Sequence, residues 1–202
     1  MKKLIVLILA CLWLPVFSQT TDKSAHLGVK MGLNSSTIWG GKFDKQRPRF
    51  GIQTGLYIKK QTKKQFGNFA EIEMAFTGSN FKHQTKEYSR INFLVLNTSF
   101  CKYHNIGERG EVLFGLQGAF ILSNELYAKD ELKALHRNLP FRRIDPQIKL
   151  GWANKGDFST LLLEIRFSLL NIGEDIELTA LEPTLNKNGN VKNFSIACSL
   201  LF

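Results

Sequence analysis

The C-terminal stretch Val191–Phe202, VKNFSIACSLLF, is the segment that decides the fold of this sequence. Its apolar residues occupy every second position: Phe194, Ile196, Cys198, Leu200 and Phe202. A period of two is typical of a β-strand whose two faces differ. The last residues of a soluble domain usually fray in water, so an apolar face running to a final aromatic indicates a strand in contact with lipid. An ordinary β-sandwich strand is the alternative.

The same stretch resembles the C-terminal insertion signal of bacterial outer-membrane barrels. That signal has a polar residue, a glycine and then two apolar positions, the second aromatic. The matching residues are Ser195, Ala197, Leu200 and Phe202, with Ala197 in the position of the glycine. The resemblance implies that the barrel-assembly machinery is a partner during insertion.

The N-terminal residues predict export. Lys2 and Lys3 form a basic start. The apolar run that follows, Leu4–Phe17, is shorter than a helix needs to span a membrane. The spacing of small residues up to Ser18 predicts that the chain is cleaved after Ser18, so that Gln19 begins the mature chain. We therefore predict a signal peptide over residues 1–18 and a single β-barrel domain over residues 19–202.

Composition narrows the class of partner. The chain has 202 residues and a formal net charge of +10. An exported chain does not meet nucleic acid, so lipid phosphates are the expected anionic partners. Without the leader, only Cys101 and Cys198 remain, too few for a disulfide framework. Whether these two cysteines are bridged stays open.

Alternation of apolar and other residues continues through the chain and predicts eight strands. Their lengths of about ten residues are enough to cross a bilayer at a tilt. The predicted strands are Leu27–Asn34, Arg49–Lys59, Ala70–Thr77, Arg90–Tyr103, Val112–Leu122, Ile144–Ala153, Leu161–Leu169 and Val191–Phe202. An even number lets the first strand pair antiparallel with the last and close the sheet.

The connections alternate between long and short, which is typical of outer-membrane barrels. The long ones are Ser35–Pro48, Gly78–Ser89, Ser123–Arg143 and Asn171–Asn190. Helical spacing of leucines within Glu125–Arg137 allows a short surface helix. The short turn Asn154–Asp157 is expected to use Gly156 at positive φ. We predict an all-β fold, an eight-stranded antiparallel up-and-down transmembrane β-barrel in a Gram-negative outer membrane.

The two faces of the strands differ in the way that a membrane barrel requires. One face is large and apolar, and the other mixes small residues with charges, so the apolar face is expected to meet lipid. The charges predicted to point into the barrel are Lys30, Arg49, Lys59, Glu71, Glu73, Lys149, Glu164 and Arg166. Side chains alone can fill an eight-stranded barrel, and we expect these charges to close the lumen as an ion-pair network. A narrow gated channel is the alternative.

Four segments resemble the PorT-like outer-membrane β-barrel family. Glu164–Ile172 is similar to the family's E-A-R-Y-S-x-G-L-x-N-I segment, and Gly28–Asn34 to its opening G-x-K-x-G-x-N strand. Phe69–Gly78 resembles its third strand, and Ile91–Leu94 the start of its Y-L-E-I-P strand. The resemblance covers essentially the whole mature chain. It implies the barrel architecture and no particular activity.

Basic residues concentrate in the predicted outer loops. Guanidinium and ammonium groups there suit the phosphates of outer-membrane lipid, including lipopolysaccharide head groups. The set is Lys42, Lys45, Arg47, Lys82, Lys86, Arg90, Arg137, Arg142 and Arg143. A basic rim that is only solvated is the alternative. An unknown protein could also dock on these loops.

Other chemistry finds little support in the sequence. A lipid hydrolase at the rim would need a histidine beside a nucleophilic serine, and neither His83 nor His136 lies in such a pattern. Metal-ligand spacing and phosphate-binding loops are absent from the sequence, and no cofactor is expected. We predict a non-enzymatic barrel with a structural or docking role. A secreted soluble barrel that binds an apolar ligand would need the apolar face turned inward.

Overall fold

A computed structural model describes residues 25–39, 46–82, 88–127, 136–137, 141–172 and 192–202. Within these residues every regular element is a β-strand. The strands are β1 (His26–Trp39), β2 (Arg47–Gln61), β3 (Phe66–Lys82), β4 (Tyr88–Ile106), β5 (Gly110–Tyr127), β6 (His136–Arg137), β7 (Ile144–Lys155), β8 (Thr160–Ser168) and β9 (Lys192–Leu201). No helix in this part of the chain is long and apolar enough to cross a membrane.

The strands close into a barrel. Each pairs antiparallel with its neighbours in the order β1-β2-β3-β4-β5-β7-β8-β9, and β9 pairs back onto β1. The closing register sets Leu33 opposite Cys198. The two-residue strand β6 pairs only with β5, where Leu126 is opposite His136. It is not part of the closed ring of strands. The predicted eight-stranded antiparallel barrel is confirmed.

Burial alternates along each strand, with apolar side chains outside. On β1, Leu27 is 65% exposed and Leu33 is 64% exposed, whereas Lys30 between them is fully buried. On β9, Leu200 is 41% exposed and Ser199 is buried. The outer surface is therefore apolar, and the polar and charged residues lie in the interior.

The barrel has two distinct ends. The turn end carries the short connections 62–65, 107–109 and 156–159, and the loop end carries the connections between β1 and β2, β3 and β4, β5 and β7, and β8 and β9. Gly107 has φ +69°, a conformation that favours glycine in a tight turn. Gly156 lacks the predicted positive φ, because β7 continues to Lys155 and the turn closes through the Gly156 N–H to the Ser159 carbonyl.

Several predicted loops are partly strand. β3 continues to Lys82, β4 begins at Tyr88 and β5 continues to Tyr127. The short helix that the leucine spacing allows over Glu125–Arg137 does not reach either end of that range, because both ends are strand, in β5 and β6. Residues 128–135 lie outside the described residues. The hairpins extend because backbone pairing continues where the side chains no longer alternate in polarity.

The interior is packed in layers. An apolar cluster lies toward the turn end: Tyr57, Phe69, Cys101, Tyr103, Leu113, Ala153, Leu162 and Leu201. A second lies toward the loop end: Ile38, Ala75, Ile91, Phe93, Val95, Phe141 and Ile172. Cys101 is buried inside and Cys198 is exposed outside, and both are free thiols. Lys30, Glu71, Glu73, Lys149, Glu164 and Arg166 lie between the two clusters.

The predicted signal peptide over residues 1–18 lies outside the described residues, and so does His83. The backbone of His136 is described in β6, but its side chain is not. The described residues therefore do not test the rim hydrolase, which the sequence disfavours.

Candidate functional site

Lys30 lies at the centre of a buried ion cluster in the lumen. Its Nζ is 2.9 Å from Glu71 Oε2, 2.8 Å from Glu73 Oε2 and 2.7 Å from Glu164 Oε2. Lys30 and all of these carboxylate side chains have no exposed surface. One ammonium thus holds carboxylates from both β3 and β8.

Two further cations complete the cluster. Lys149 pairs with Glu71 and Glu164. The Arg166 guanidinium lies 2.5 Å from Glu73 Oε1 and 2.7 Å from Glu164 Oε2. The central cluster therefore comprises Lys30, Lys149 and Arg166 with Glu71, Glu73 and Glu164, and its formal charges cancel. Such balance is what buried charges require in a medium of low dielectric constant.

Glycines beside the charges make this packing possible. Gly55 lies between Lys30 and Glu73 in the register of β1, β2 and β3. A Cβ atom at Gly55 would come within 2.6 Å of the Glu73 Cβ. Gly115 is likewise opposite Lys149. The glycines thus leave space in the lumen for the long charged side chains of the neighbouring strands.

A smaller charged group lies at the turn end. Glu111, which is 2% exposed, accepts from Lys59 Nζ at 2.5 Å and contacts Lys155 Nζ at 2.7 Å. Lys59 Nζ also lies 4.7 Å from the Tyr103 ring centroid. The sequence did not reveal these two residues, because Lys155 falls in the predicted turn Asn154–Asp157 and Glu111 falls just before the predicted strand Val112–Leu122. The inward position of Glu111, two residues before Leu113, was the available signal.

The structure brings together six of the eight predicted interior charges: Lys30, Glu71, Glu73, Lys149, Glu164 and Arg166. Lys59 belongs to the turn-end group instead. Arg49 is half-buried near the loop end and is outside the central cluster. The eight predicted charges therefore do not form one network.

A chain of polar side chains lies on the loop side of the central cluster. Gln117 Nε2 donates to Gln147 Oε1 at 2.9 Å, and Gln147 Nε2 donates to Asp145 Oδ2 at 2.6 Å. Ser168 Oγ donates to the same Asp145 oxygen at 2.7 Å. Gln117, Gln147 and Asp145 line a cavity of about 20 Å³. The sequence analysis did not single them out.

Two apolar residues from outside the barrel strands, Phe141 and Ile172, are buried at the loop end. Phe141 packs edge-on against Phe93, with ring centroids 5.0 Å apart. The Arg142 N–H donates to the Ile172 carbonyl at 2.9 Å, and both Phe141 and Ile172 are buried. A segment before β7 and one after β8 thus cover the mouth together.

Part of the predicted basic rim forms a row across the sheet. Asn80 on β3 is paired with Arg47 on β2 and with Arg90 on β4, and Arg90 is paired with Tyr127 on β5. The Arg90 guanidinium lies 4.5 Å from the centroid of the Tyr127 ring. We call Arg47, Asn80, Arg90 and Tyr127 the basic row.

The other predicted rim residues are placed less fully. Arg143 is exposed and Arg142 is half-buried. Lys82 and Arg137 lie in β3 and β6, and their side chains are outside the described residues, as are Lys42, Lys45 and Lys86 entirely. Among the described residues, no group of three or more His, Cys, Asp or Glu residues could hold a metal.

The residues matched to the insertion signal divide between the two faces of β9. Ser195 and Ala197 are buried in the lumen, whereas Leu200 and Phe202 are on the outer surface, 41% and 55% exposed. Phe202 also exchanges two backbone hydrogen bonds with Val29. The final residues are thus fixed in the seam that closes the barrel.

Comparison with known proteins identifies the fold. Neisserial surface protein A superposes with a TM-score of 0.52 at 9% identity, covering 88% of this chain and 97% of that one. Ail of Yersinia pestis gives 0.46 at 9% identity over 90% and 100% of the two chains. OprG of Pseudomonas aeruginosa gives 0.44 at 12% identity over 87% and 95%. No family model and no curated protein sequence matches the chain.

The class follows from the fold and its surfaces. A closed eight-stranded barrel with an apolar exterior and a charged interior is the fold of small outer-membrane β-barrel proteins. At 9% identity the likeness to the Neisserial protein shows this fold alone.

Proposed function

We propose that this protein is an integral outer-membrane barrel of the PorT-like type, exported by a cleaved signal peptide, non-enzymatic, and closed through its centre. The observation that carries the proposal is the inverted distribution of polarity, in which Leu27 is 65% exposed and Lys30 is fully buried. Exposing an apolar belt on every strand costs free energy in water and gains it in lipid.

Closure of the lumen rests on its contents. The balanced central cluster fills the middle, aromatic residues fill the turn end, and Phe141 and Ile172 cover the loop end. A channel of this width would need a continuous polar path, and these layers interrupt it. The role is therefore structural or one of docking, with the narrow channel as the competing function.

Orientation in the membrane can be tested at the two ends of one strand. Arg143 lies just before β7 and Asp157 just after it, and both are exposed. In intact cells a membrane-impermeant maleimide is expected to label Arg143→Cys, and to label Asp157→Cys only after the outer membrane is opened. Equal labelling of both variants in intact cells, or of neither, would refute a spanning barrel with its long loops outside.

We also propose that the basic row docks lipid phosphates, including those of lipopolysaccharide. Arg47 and Arg90 are separated by one strand, and therefore by about 10 Å, twice the spacing between neighbouring strands. The Arg90 guanidinium lies 4.5 Å from the centroid of the Tyr127 ring, and no ion pair joins it to a carboxylate among the described residues. Arginine binds phosphate through paired N–H groups of its guanidinium.

The docking proposal is tested by ligand stabilisation. Adding lipopolysaccharide to the purified barrel in detergent is expected to raise its unfolding midpoint. The double change Arg47→Gln and Arg90→Gln should remove most of that shift. Arg109→Gln, a matched change in the exposed turn 107–109 at the opposite end, should preserve it. Equal shifts in all three proteins would contradict docking at the basic row.

A further inference from the structure

The cavity beside the central cluster has room for a single small occupant. It has about 20 Å³ of room, which is space for about one water-sized sphere. Its polar lining is Thr77, Asn97, Gln117, Asp145, Gln147, Arg166, Asn193 and Ser195. The cavity lies within the lumen, between the central cluster and the apolar cap formed by Phe141 and Ile172.

Asp145 brings to this cavity a carboxylate that has no ion-pair partner among the described residues. Its side chain is buried, and its Oδ2 accepts from Gln147 and Ser168. Its Oδ1 has no hydrogen-bond partner, and within the described ranges no Lys, Arg or His lies within ion-pair distance of it. Burying a carboxylate without a partner for its charge lowers the stability of the folded protein.

The neighbouring amides also present oxygen atoms. The Gln147 amide donates to Asp145, so its oxygen is the acceptor for Gln117 Nε2. Asn97 Nδ2 is likewise engaged, with Glu73 at 2.9 Å. Gln117 Oε1 and Asn97 Oδ1 therefore remain buried without a donor among the described residues. The occupant must be a donor or a cation.

Charge balance identifies the kind of occupant. The central cluster is neutral, and the Arg166 charge is matched within it by Glu73 and Glu164. Asp145 adds one negative charge that a single positive charge would cancel, whereas a divalent ion would leave an excess. We propose that the cavity binds one monovalent alkali cation through Asp145 Oδ1 and the free oxygens of Gln117 and Asn97. Such oxygen ligands suit hard cations.

A water molecule is the competing occupant. The Nε of Arg166 is buried without a hydrogen-bond partner in the described part of the chain. A water accepting from Arg166 and donating to Asp145 would use the same cavity. The experiment must therefore separate a bound cation from a bound water.

Thallium provides the direct test, since Tl⁺ replaces alkali cations and scatters anomalously. Crystals of the detergent-solubilised protein grown in a thallium salt are expected to show an anomalous peak in the cavity, near Asp145. Crystals that show no peak there would overturn the proposal in favour of water. This measurement uses the unaltered protein, and its failure would leave the barrel and its membrane location unaffected.

A second test measures stability. The unfolding midpoint of the wild-type protein is expected to be higher by about 2 °C or more in sodium chloride than in choline chloride at equal ionic strength. Asp145→Asn keeps the shape and removes the charge, and should abolish the difference. Asp157→Asn, a matched change at an exposed turn position, should retain it. A difference that persists in Asp145→Asn, or one produced only by Ca²⁺, would contradict an alkali-cation site.

Discussion

Lys30 is the residue on which the central cluster depends most, because its ammonium contacts three carboxylates from two strands. Replacing one partner of a buried charge pair leaves the other uncompensated in a medium of low dielectric constant. The sequence supplied the inward position of each charge through the period of two. It could not supply the partners, because these depend on which strands face each other across the lumen.

We predict that Lys30→Met destabilises the barrel by about 3–5 kcal/mol. The substitution keeps the length of the side chain and removes the charge that holds the carboxylates together. The measurement is the free energy of unfolding in urea of the barrel folded into lipid vesicles. Lys102→Met, at an exposed position of β4, is the control and should change that free energy by about 0.5 kcal/mol or less. Equal effects of the two changes would mean that the cluster contributes nothing to stability.

At the scale of elements, the seam between β1 and β9 is held by close packing as well as by backbone pairing. Gly28 is opposite Tyr57 on β2, and the Tyr57 hydroxyl donates to the Phe202 carbonyl at 3.2 Å. The sequence predicted that the first and last strands pair, because a closed sheet has no free edge. It did not predict that Tyr57 would lie over Gly28, since a ring position depends on the curvature of the barrel.

We predict that Gly28→Ala weakens this seam by about 1–3 kcal/mol. A Cβ at Gly28 would lie 2.2 Å from the Phe202 carbonyl oxygen and 2.5 Å from the Tyr57 ring, and the carbonyl is backbone that cannot rotate away. Gly118→Ala is the matched control, because its Cβ would meet nothing closer than 3.5 Å. Urea unfolding of both variants tests the prediction, and a Gly28→Ala protein as stable as Gly118→Ala would contradict it.

Strand ends at the loop side show what the sequence could not predict. Apolar and polar residues of β3 and β4 stop alternating beyond Gly78, so the sequence predicts a loop over Gly78–Ser89. Backbone pairing nevertheless continues to Lys82 opposite Tyr88. Hydropathy marks the lipid-facing part of a strand, whereas hydrogen bonding sets its full length.

At the scale of the whole molecule, layers of charged and apolar side chains fill the part of the lumen that the structure describes. The central cluster spans the barrel from β1 to β8, and apolar layers lie on both sides of it. The outward apolar face and the inward charged face were both predictable from the sequence. Each follows from the type of residue and from the face that its place in the two-residue period of the strand gives it. The cavity beside Asp145 was not, because it arises from how side chains of different strands fill the remaining space.

We predict that the protein is silent in planar lipid bilayers. Buried ion pairs must separate before an ion can pass, and separating them exposes uncompensated charge. Single-channel recording of the folded protein should show no discrete conductance steps. Regular steps that recur in independent preparations would support the narrow channel instead of the closed lumen.

The most direct test of the membrane barrel itself is gel migration of the protein from separated outer membranes, with and without boiling. A closed barrel that presents an apolar belt to lipid should resist unfolding by the detergent and migrate at a different position until it is boiled. We predict this shift, with the protein in the outer-membrane fraction. A single position before and after boiling, with the protein free in the periplasm or the medium, would contradict the account.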